Sequence, residues 1–237
     1  MRAESSRNKW PKAVVFDLDG TIVDTAADLT VALNATLAEL GLPEHPEYAV
    51  RKMVGGGLAL LLDRALAAHD VSLGEEAQAE AEARLFEHYA AAPAARSALY
   101  PGAAETLRDL QALGIACGIC TNKPHAMSRD VLRAVGILDV FAYLQCGDSD
   151  LPKKPDARGL LRLVETLGAE PSDTVMVGDS ITDVKTARAA DLGAVVLVSY
   201  GYTAEPAAEL GADLVIDRLD ELPQALARLM PRNASFT

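Results

Sequence analysis

Five short apolar runs punctuate the chain: "AVVF" at Ala13–Phe16, "IACGIC" at 115–120, "TVMVG" at Thr174–Gly178, "AVVLV" at Ala194–Val198 and "LVI" at Leu214–Ile216. Each is nearly continuous and does not alternate with polar residues, which predicts strands covered on both faces. Helical spacing fills the gaps between them. "GAAETLRDLQALG" puts Leu107, Leu110 and Leu113 on one face and stops at Gly114. "ARGLLRLVETLG" stops at Gly168 in the same way, and "ITDVKTARAADLG" is expected to stop at Gly193. Strands alternating with helices predict right-handed crossovers and an α/β fold with a doubly wound, Rossmann-like parallel sheet.

The stretch 24–95 breaks this rhythm. It is rich in Ala, Leu and Glu and has no strand signal. "ADLTVALNATLAELG", "GLALLLDRALAAHD" and "EEAQAEAEARLFEHYAAA" each read as a helix. An all-helical unit is therefore expected as an insertion directly after the first strand. Residues 11–23 and 96–232 form the α/β core in this reading, with "VDTA" and "APAARS" as hinges. Residues 1–10 and 233–237 are read as loose termini.

Composition narrows the class. With 237 residues, half of them apolar, the chain can bury a sizeable core. No run approaches the roughly 20 apolar residues that cross a bilayer, and "MRAESSRNKWP" lacks the apolar middle of a signal peptide. A cytoplasmic protein is the expectation. The net charge of −12 disfavours nucleic acid and anionic membrane as partners. Cys117 and Cys120 are three apart on a predicted strand and so point to opposite faces, which predicts buried thiols in place of a shared metal. His45, His69, His88 and His125 show no ligand spacing and read as surface or capping residues.

The chemistry lies where the strands end, because open α/β sheets bind ligands at the carboxyl ends of their strands. Asp17, Asp19, Gly20 and Thr21 follow the first strand. Thr121, Asn122 and Lys123 follow the second, Lys153 and Lys154 precede a helix, and Asp179, Ser180 and Asp183 follow "TVMVG". Carboxylates repel one another and resist leaving water, so crowding them calls for a hard cation. Mg²⁺ suits a site of one or two carboxylates, and Asp17 and Asp179 supply them. A hydroxyl (Thr121) and an ammonium (Lys154) would hold phosphoryl oxygens. An aspartate here can be a nucleophile, and a second carboxyl two residues on can serve as acid and base.

In order, "DLDGT", "TNK", "KKP" and "GDSITD" resemble the four motifs of the haloacid dehalogenase-like (HAD) hydrolase superfamily, and the likeness runs from about Lys12 to Ala227. The helical insertion is similar to that superfamily's type-1 cap. The resemblance implies Asp17 as nucleophile, Asp19 as acid/base, Thr121 and Lys154 as phosphoryl clamps, and Asp17, Asp179 and the backbone carbonyl of Asp19 as Mg²⁺ ligands. Asp183, with Ser180 beside it, would hold a metal-bound water or orient Lys154. Lys153 is a rival for the lysine role, but Lys154 stands directly before the proline, as in the family pattern.

Within the superfamily, "VGGGLALLLDRAL" and "TNKP" look most like phosphoglycolate phosphatases. That likeness assigns Gly55, Gly56 and Gly57 to the substrate, unless they form only a flexible turn; Thr21 and Asn122 are assigned there too. Two departures stand out: Gly56 replaces a residue that is often polar, and Ala157 replaces a second proline. The expected activity is Mg²⁺-dependent hydrolysis of a small phosphorylated metabolite, 2-phosphoglycolate first, through an aspartyl-phosphate, by a monomer or homodimer. Alternatives are another phosphorylated metabolite (a sugar phosphate or nucleotide), a phosphomutase using Arg51 and Arg64 to grip a sugar, a phosphonate hydrolase using Lys52, and a non-catalytic phospho-acceptor switch.

Overall fold

The computed structural model describes residues 10–230. Residues 231–232, expected in the core, lie outside the described residues, as do residues 1–9 and 233–237 of the termini expected to be loose. The first described residue already departs from that expectation. Trp10 is 2 % exposed, and its indole N–H donates to the Ser172 carbonyl at 3.0 Å. An apolar ring with one donor was passed over within a polar run, but it fills space beneath the sheet and belongs to the core.

The central sheet has six parallel strands in the order β5-β4-β1-β6-β7-β8. Its members are β1 (Ala13–Phe16), β4 (Ala116–Cys120), β5 (Tyr143–Gln145), β6 (Thr174–Gly178), β7 (Ala194–Val198) and β8 (Leu214–Ile216). The edge strand β5 was missed, because three residues of mixed polarity give no apolar run. Side chains alternate between two apolar layers. Val14, Phe16, Cys117, Ile119, Val175 and Val177 face α5 (Ala103–Ala112), α6 (His125–Ala134) and α9 (Leu222–Leu229). Val15, Cys120, Met176, Val195 and Leu197 face α7 (Ala157–Thr166) and α8 (Ile181–Ala189). The doubly wound parallel sheet thus stands, and Cys117 and Cys120 sit on opposite faces. Burial pushes each of these two thiols up to about 12.

Two helix ends show what terminates an element. Gly168 takes the left-handed turn after α7 (φ 69°). α8 instead stops at Ala189, and Asp191 makes the left-handed turn (φ 51°), two residues before the expected Gly193. Asp tolerates this region better than most L residues.

The helical stretch contains α1 (Ala26–Glu39), α2 (Glu47–Arg51), α3 (Leu58–Ala67) and α4 (Glu75–Ala91). The short α2 was not foreseen. The four helices share an apolar cluster that includes Leu29, Leu33, Leu62, Leu85 and Tyr89, and Met127 from α6 plugs into it. His45 is buried there, stacked on His69 at 4.2 Å, and is not a surface residue. Both chain crossings run side by side as a ribbon, β2 (Val23–Asp24) antiparallel to β3 (Ala98–Leu99). Asp28 ties them further by accepting from Arg96 N–H and Ser97 Oγ. Among the described residues, no helix is long and apolar enough to cross a membrane.

Truncating the Trp10 ring opens a cavity and strands the Ser172 carbonyl. Trp10→Ala is expected to destabilise the protein by about 3–5 kcal/mol. Urea unfolding checks this: the midpoint should drop at constant slope.

Candidate active site

Sheet register brings the polar strand ends together. Phe16 pairs with Ile119 on one side and Val177 on the other. The chain therefore releases Asp17, Thr121 and Asp179 from three adjacent strands at one edge. They line a cleft whose opposite wall comes from the inserted stretch: Leu29, Val54, Gly55, Gly56, Gly57, Leu58 and Leu61. That wall offers only aliphatic side chains and glycine backbone.

One glycine sets the spacing of the acids. Gly20 has φ 81°, and a Cβ there would come 2.5 Å from Asp179 Oδ2. Only glycine both makes this turn and lets the two loops approach.

Asp17, Asp179 and Asp183 converge within 4.8 Å, and each offers an oxygen suited to a cation. Asp183 is the most committed of the three. It closes a capping box with Ser180, the residue before α8, and its Oδ2 also accepts from the Asp179 N–H. Its Oδ1 accepts from Lys154 Nζ at 2.6 Å, while the same ammonium lies 3.0 Å from Asp17 Oδ1. Asp183 therefore orients Lys154, leaving Asp17 and Asp179 as the acids facing the cleft. Burial pushes Asp17 up to about 6; Lys154 opposes this and Asp183 adds to it. Burial, with Asp183 and Asp17 alongside, also drives Asp179 well above the usual carboxylate range. Lys154 is itself buried, which disfavours its charge, but Asp17 and Asp183 outweigh that and raise its pKa. The donor set is hard, anionic and short of positive charge, so it fits a divalent cation.

Asp19 also lines the cleft but has other partners. Its carboxylate accepts from Lys123 Nζ at 2.9 Å and from Thr25 Oγ1 at 2.6 Å. Lys123 also donates to the Tyr89 hydroxyl on α4, so an acid of the sheet, an ammonium of the second loop and a phenol of the inserted unit form one chain. Burial lowers the Lys123 pKa, but Asp19 and Tyr89 override it and raise the value overall. Sequence reasoning gave Lys123 no role, because a lysine after Thr-Asn reads as a solvated loop residue. Its partner Tyr89 is 34 residues away, and nothing in the sequence joins them. Tyr202 was also missed. Its N–H donates to Asp179 Oδ2, and its hydroxyl bonds Asp24, Thr25 and Ala26 at the first crossing.

The remaining assignments divide. Thr121 and Ser180 line the cleft with Gly55, Gly56 and Gly57. Thr21 does not: it is fully buried away from the cleft, and its Oγ1 has no hydrogen-bond partner. Its place in "DLDGT" suggested a substrate contact, but the turn at Gly20 directs it inward. Asn122 lines the cleft, yet its side chain is spent on the Lys154 backbone, donating to the carbonyl and accepting from the N–H. It fixes the lysine loop. Arg51 pairs with Asp24 and Glu47, and Arg64 donates to the carbonyls of Met53, Val54 and Gly55. Neither arginine lines the cleft, nor does Lys52.

A parallel α/β core with clustered acids and a lysine at the strand ends is suited to phosphoryl chemistry. The sequence model of the haloacid dehalogenase-like hydrolases matches residues 11–191, and the chain belongs to that family. Its sequence is 46 % identical over 211 residues to a phosphoglycolate phosphatase from Rhodospirillum rubrum, covering 87 % of each chain. It is 40 % identical to a phosphoglycolate phosphatase from Agrobacterium fabrum, covering 94 % of each. The fold is also similar to the crystal structure of a predicted phosphoglycolate phosphatase from Haemophilus somnus 129PT. That match has a TM-score of 0.83 at 30 % identity over 90 % of this chain and 97 % of the other.

The raised Asp17 value carries a stability consequence. Its folded pKa exceeds that of an unfolded chain, near 4. The bound proton therefore stabilises the metal-free fold fully below about pH 4, and that contribution is lost as pH rises through about 6. In metal-free protein, Asp17→Asn should make the fall in Tm between pH 5 and pH 7 shallower. Equal slopes for wild type and variant would contradict the assigned direction.

Proposed function

We propose that this hydrolase is a Mg²⁺-dependent phosphomonoesterase acting on 2-phosphoglycolate, with helices α1–α4 as a cap over the strand-end cleft. The observation that carries the reading is the pairing of a phosphoryl-handling floor with a bare cap wall. A floor of Asp17, Thr121, Lys154 and Asp179 suits a phosphoryl group, while the glycine and aliphatic wall offers no polar side chain to grip a larger polar substrate. The names of the similar proteins point the same way. A sugar-gripping mutase needs polar cap groups, and Arg51 and Arg64 are both engaged outside the cleft.

Asp17 and Asp179, with the Asp19 backbone carbonyl, would hold Mg²⁺, which when bound neutralises charge on the phosphoryl oxygens. An Asp17 carboxylate oxygen attacks phosphorus as the bond to the leaving oxygen breaks, giving an aspartyl-phosphate. Protonated Asp19 delivers its proton to that leaving oxygen, and Lys123 stabilises the carboxylate left behind. The same carboxylate then takes a proton from a water, whose oxygen attacks phosphorus. The Asp17–phosphorus bond breaks, and Asp17 and inorganic phosphate are released. Thr121 donates to a phosphoryl oxygen. Lys154, steadied by Asp183, offsets the negative charge that builds on the others.

The test is phosphate release from 2-phosphoglycolate, sugar phosphates, nucleoside monophosphates and phosphonoacetaldehyde, with and without Mg²⁺. 2-Phosphoglycolate should give the highest kcat/KM, and chelation should abolish turnover. Asp17→Asn should lose more than about a thousandfold in kcat with its circular dichroism unchanged. A higher kcat/KM for another member would move the substrate assignment. A stable phosphoprotein without phosphate release would replace the enzyme by a switch.

A further inference from the structure

The first lysine of "KKP" has no part in the site as described. Lys153 is exposed, and among the described residues it makes no salt bridge and its Nζ makes no hydrogen bond. Its position is nevertheless not that of an ordinary surface lysine. A Cβ built on Gly57 would come 3.3 Å from Lys153 Nζ and equally close to the Asn122 carbonyl. Gly57 and Asn122 both line the cleft, one from the cap wall and one from the floor. The Lys153 ammonium thus stands in the seam where the cap's glycine loop meets the core, at the rim of the site.

Charge bookkeeping gives this position a meaning. The two ammonium groups lining the cleft are already paired: Lys154 with Asp17 and Asp183, Lys123 with Asp19. Arg51 pairs with Asp24, and Arg64 donates to backbone carbonyls of the glycine loop. The lining carries three carboxylates, Asp17, Asp19 and Asp179. A substrate bearing a second anionic group beyond its phosphate would find no unpaired cation among the lining side chains. Among the described residues, Lys153 is an unpaired cation at the rim beside Gly57, and its flexible stem leaves the ammonium free to reorient.

We infer that Lys153 is a specificity-determining residue that holds the carboxylate of a small phosphorylated carboxylic acid at the cap–core seam. The inference rests on the proposed phosphatase reading and deepens it by assigning the group that recognises the acid end. The missing Cβ at Gly57 leaves the ammonium its room; a side chain there would press on it and on the Asn122 carbonyl.

The experiment compares two substrates, 2-phosphoglycolate and 2-hydroxyethyl phosphate, in which a neutral hydroxymethyl replaces the carboxylate. The readout is the ratio of their kcat/KM values in wild type, Lys153→Met and Lys153→Arg, at fixed Mg²⁺. The wild-type ratio should be well above ten. Lys153→Met should reduce it at least tenfold, mainly through a higher KM for 2-phosphoglycolate, and Lys153→Arg should recover most of it. A large wild-type ratio that stays within twofold in Lys153→Met overturns the Lys153 assignment and leaves the phosphoglycolate reading standing. A wild-type ratio near one overturns the substrate reading and the assignment together. Turnover of the neutral substrate shows that each variant is folded.

Discussion

The dominant constraint in this protein is the burial of acids that have too few cations to neutralise them. Asp17, Asp179 and Asp183 converge at the edge of a sheet, with a single ammonium, Lys154, among them. Such an arrangement is unfavourable by itself, and the raised values of Asp17 and Asp179 register that strain electrostatically. The surrounding structure exists to hold it. The Ser180–Asp183 capping box fixes one acid, the Tyr202 N–H another, and the turn at Gly20 admits the third strand end without a clash.

The same economy of charge explains the division of labour between the two aspartates of "DLD". They are two residues apart, yet their surroundings differ. Asp17 shares its ammonium with Asp183, whereas Asp19 has Lys123 and the Thr25 hydroxyl. The two carboxylates of one motif therefore sit in different hydrogen-bond environments. Lys123 connects this difference to the cap through the Tyr89 hydroxyl, and Tyr202 connects the Asp179 loop to the crossing at Asp24 and Thr25. The helical stretch and the acids are thus joined by side chains as well as by the backbone ribbon.

The cap wall is as telling as the floor. A surface of glycine backbone and aliphatic groups can exclude water but offers no side-chain hydrogen bond to a ligand. Arg64 holds the carbonyls of Met53, Val54 and Gly55, where the chain enters the glycine loop, and so restrains the wall from outside. Its role depends on a loop-to-helix contact that its position in an amphipathic helix conceals.

By itself the sequence determined five of the six central strands, the helices α5, α7 and α8, and the acids at the strand ends. Continuous β-branched runs and leucine spacing are local signals, and both act through the backbone nearby. It also determined that "DLDGT", "TNK", "KKP" and "GDSITD" follow one another in the order of a known family. Only the tertiary structure decided which of these polar residues face the cleft. Thr21 turned inward, Asn122 was consumed by the Lys154 backbone, and Lys123 and Tyr202 entered the site unannounced. Trp10, read as part of a tail, closed the core, and β5 formed where no apolar run announced it. The reason is physical. An element forms from neighbours in the chain, but a polar side chain takes its role from its partners. Lys123 meets Tyr89 and Tyr202 meets Asp24 only after strands and helices distant in sequence have packed together.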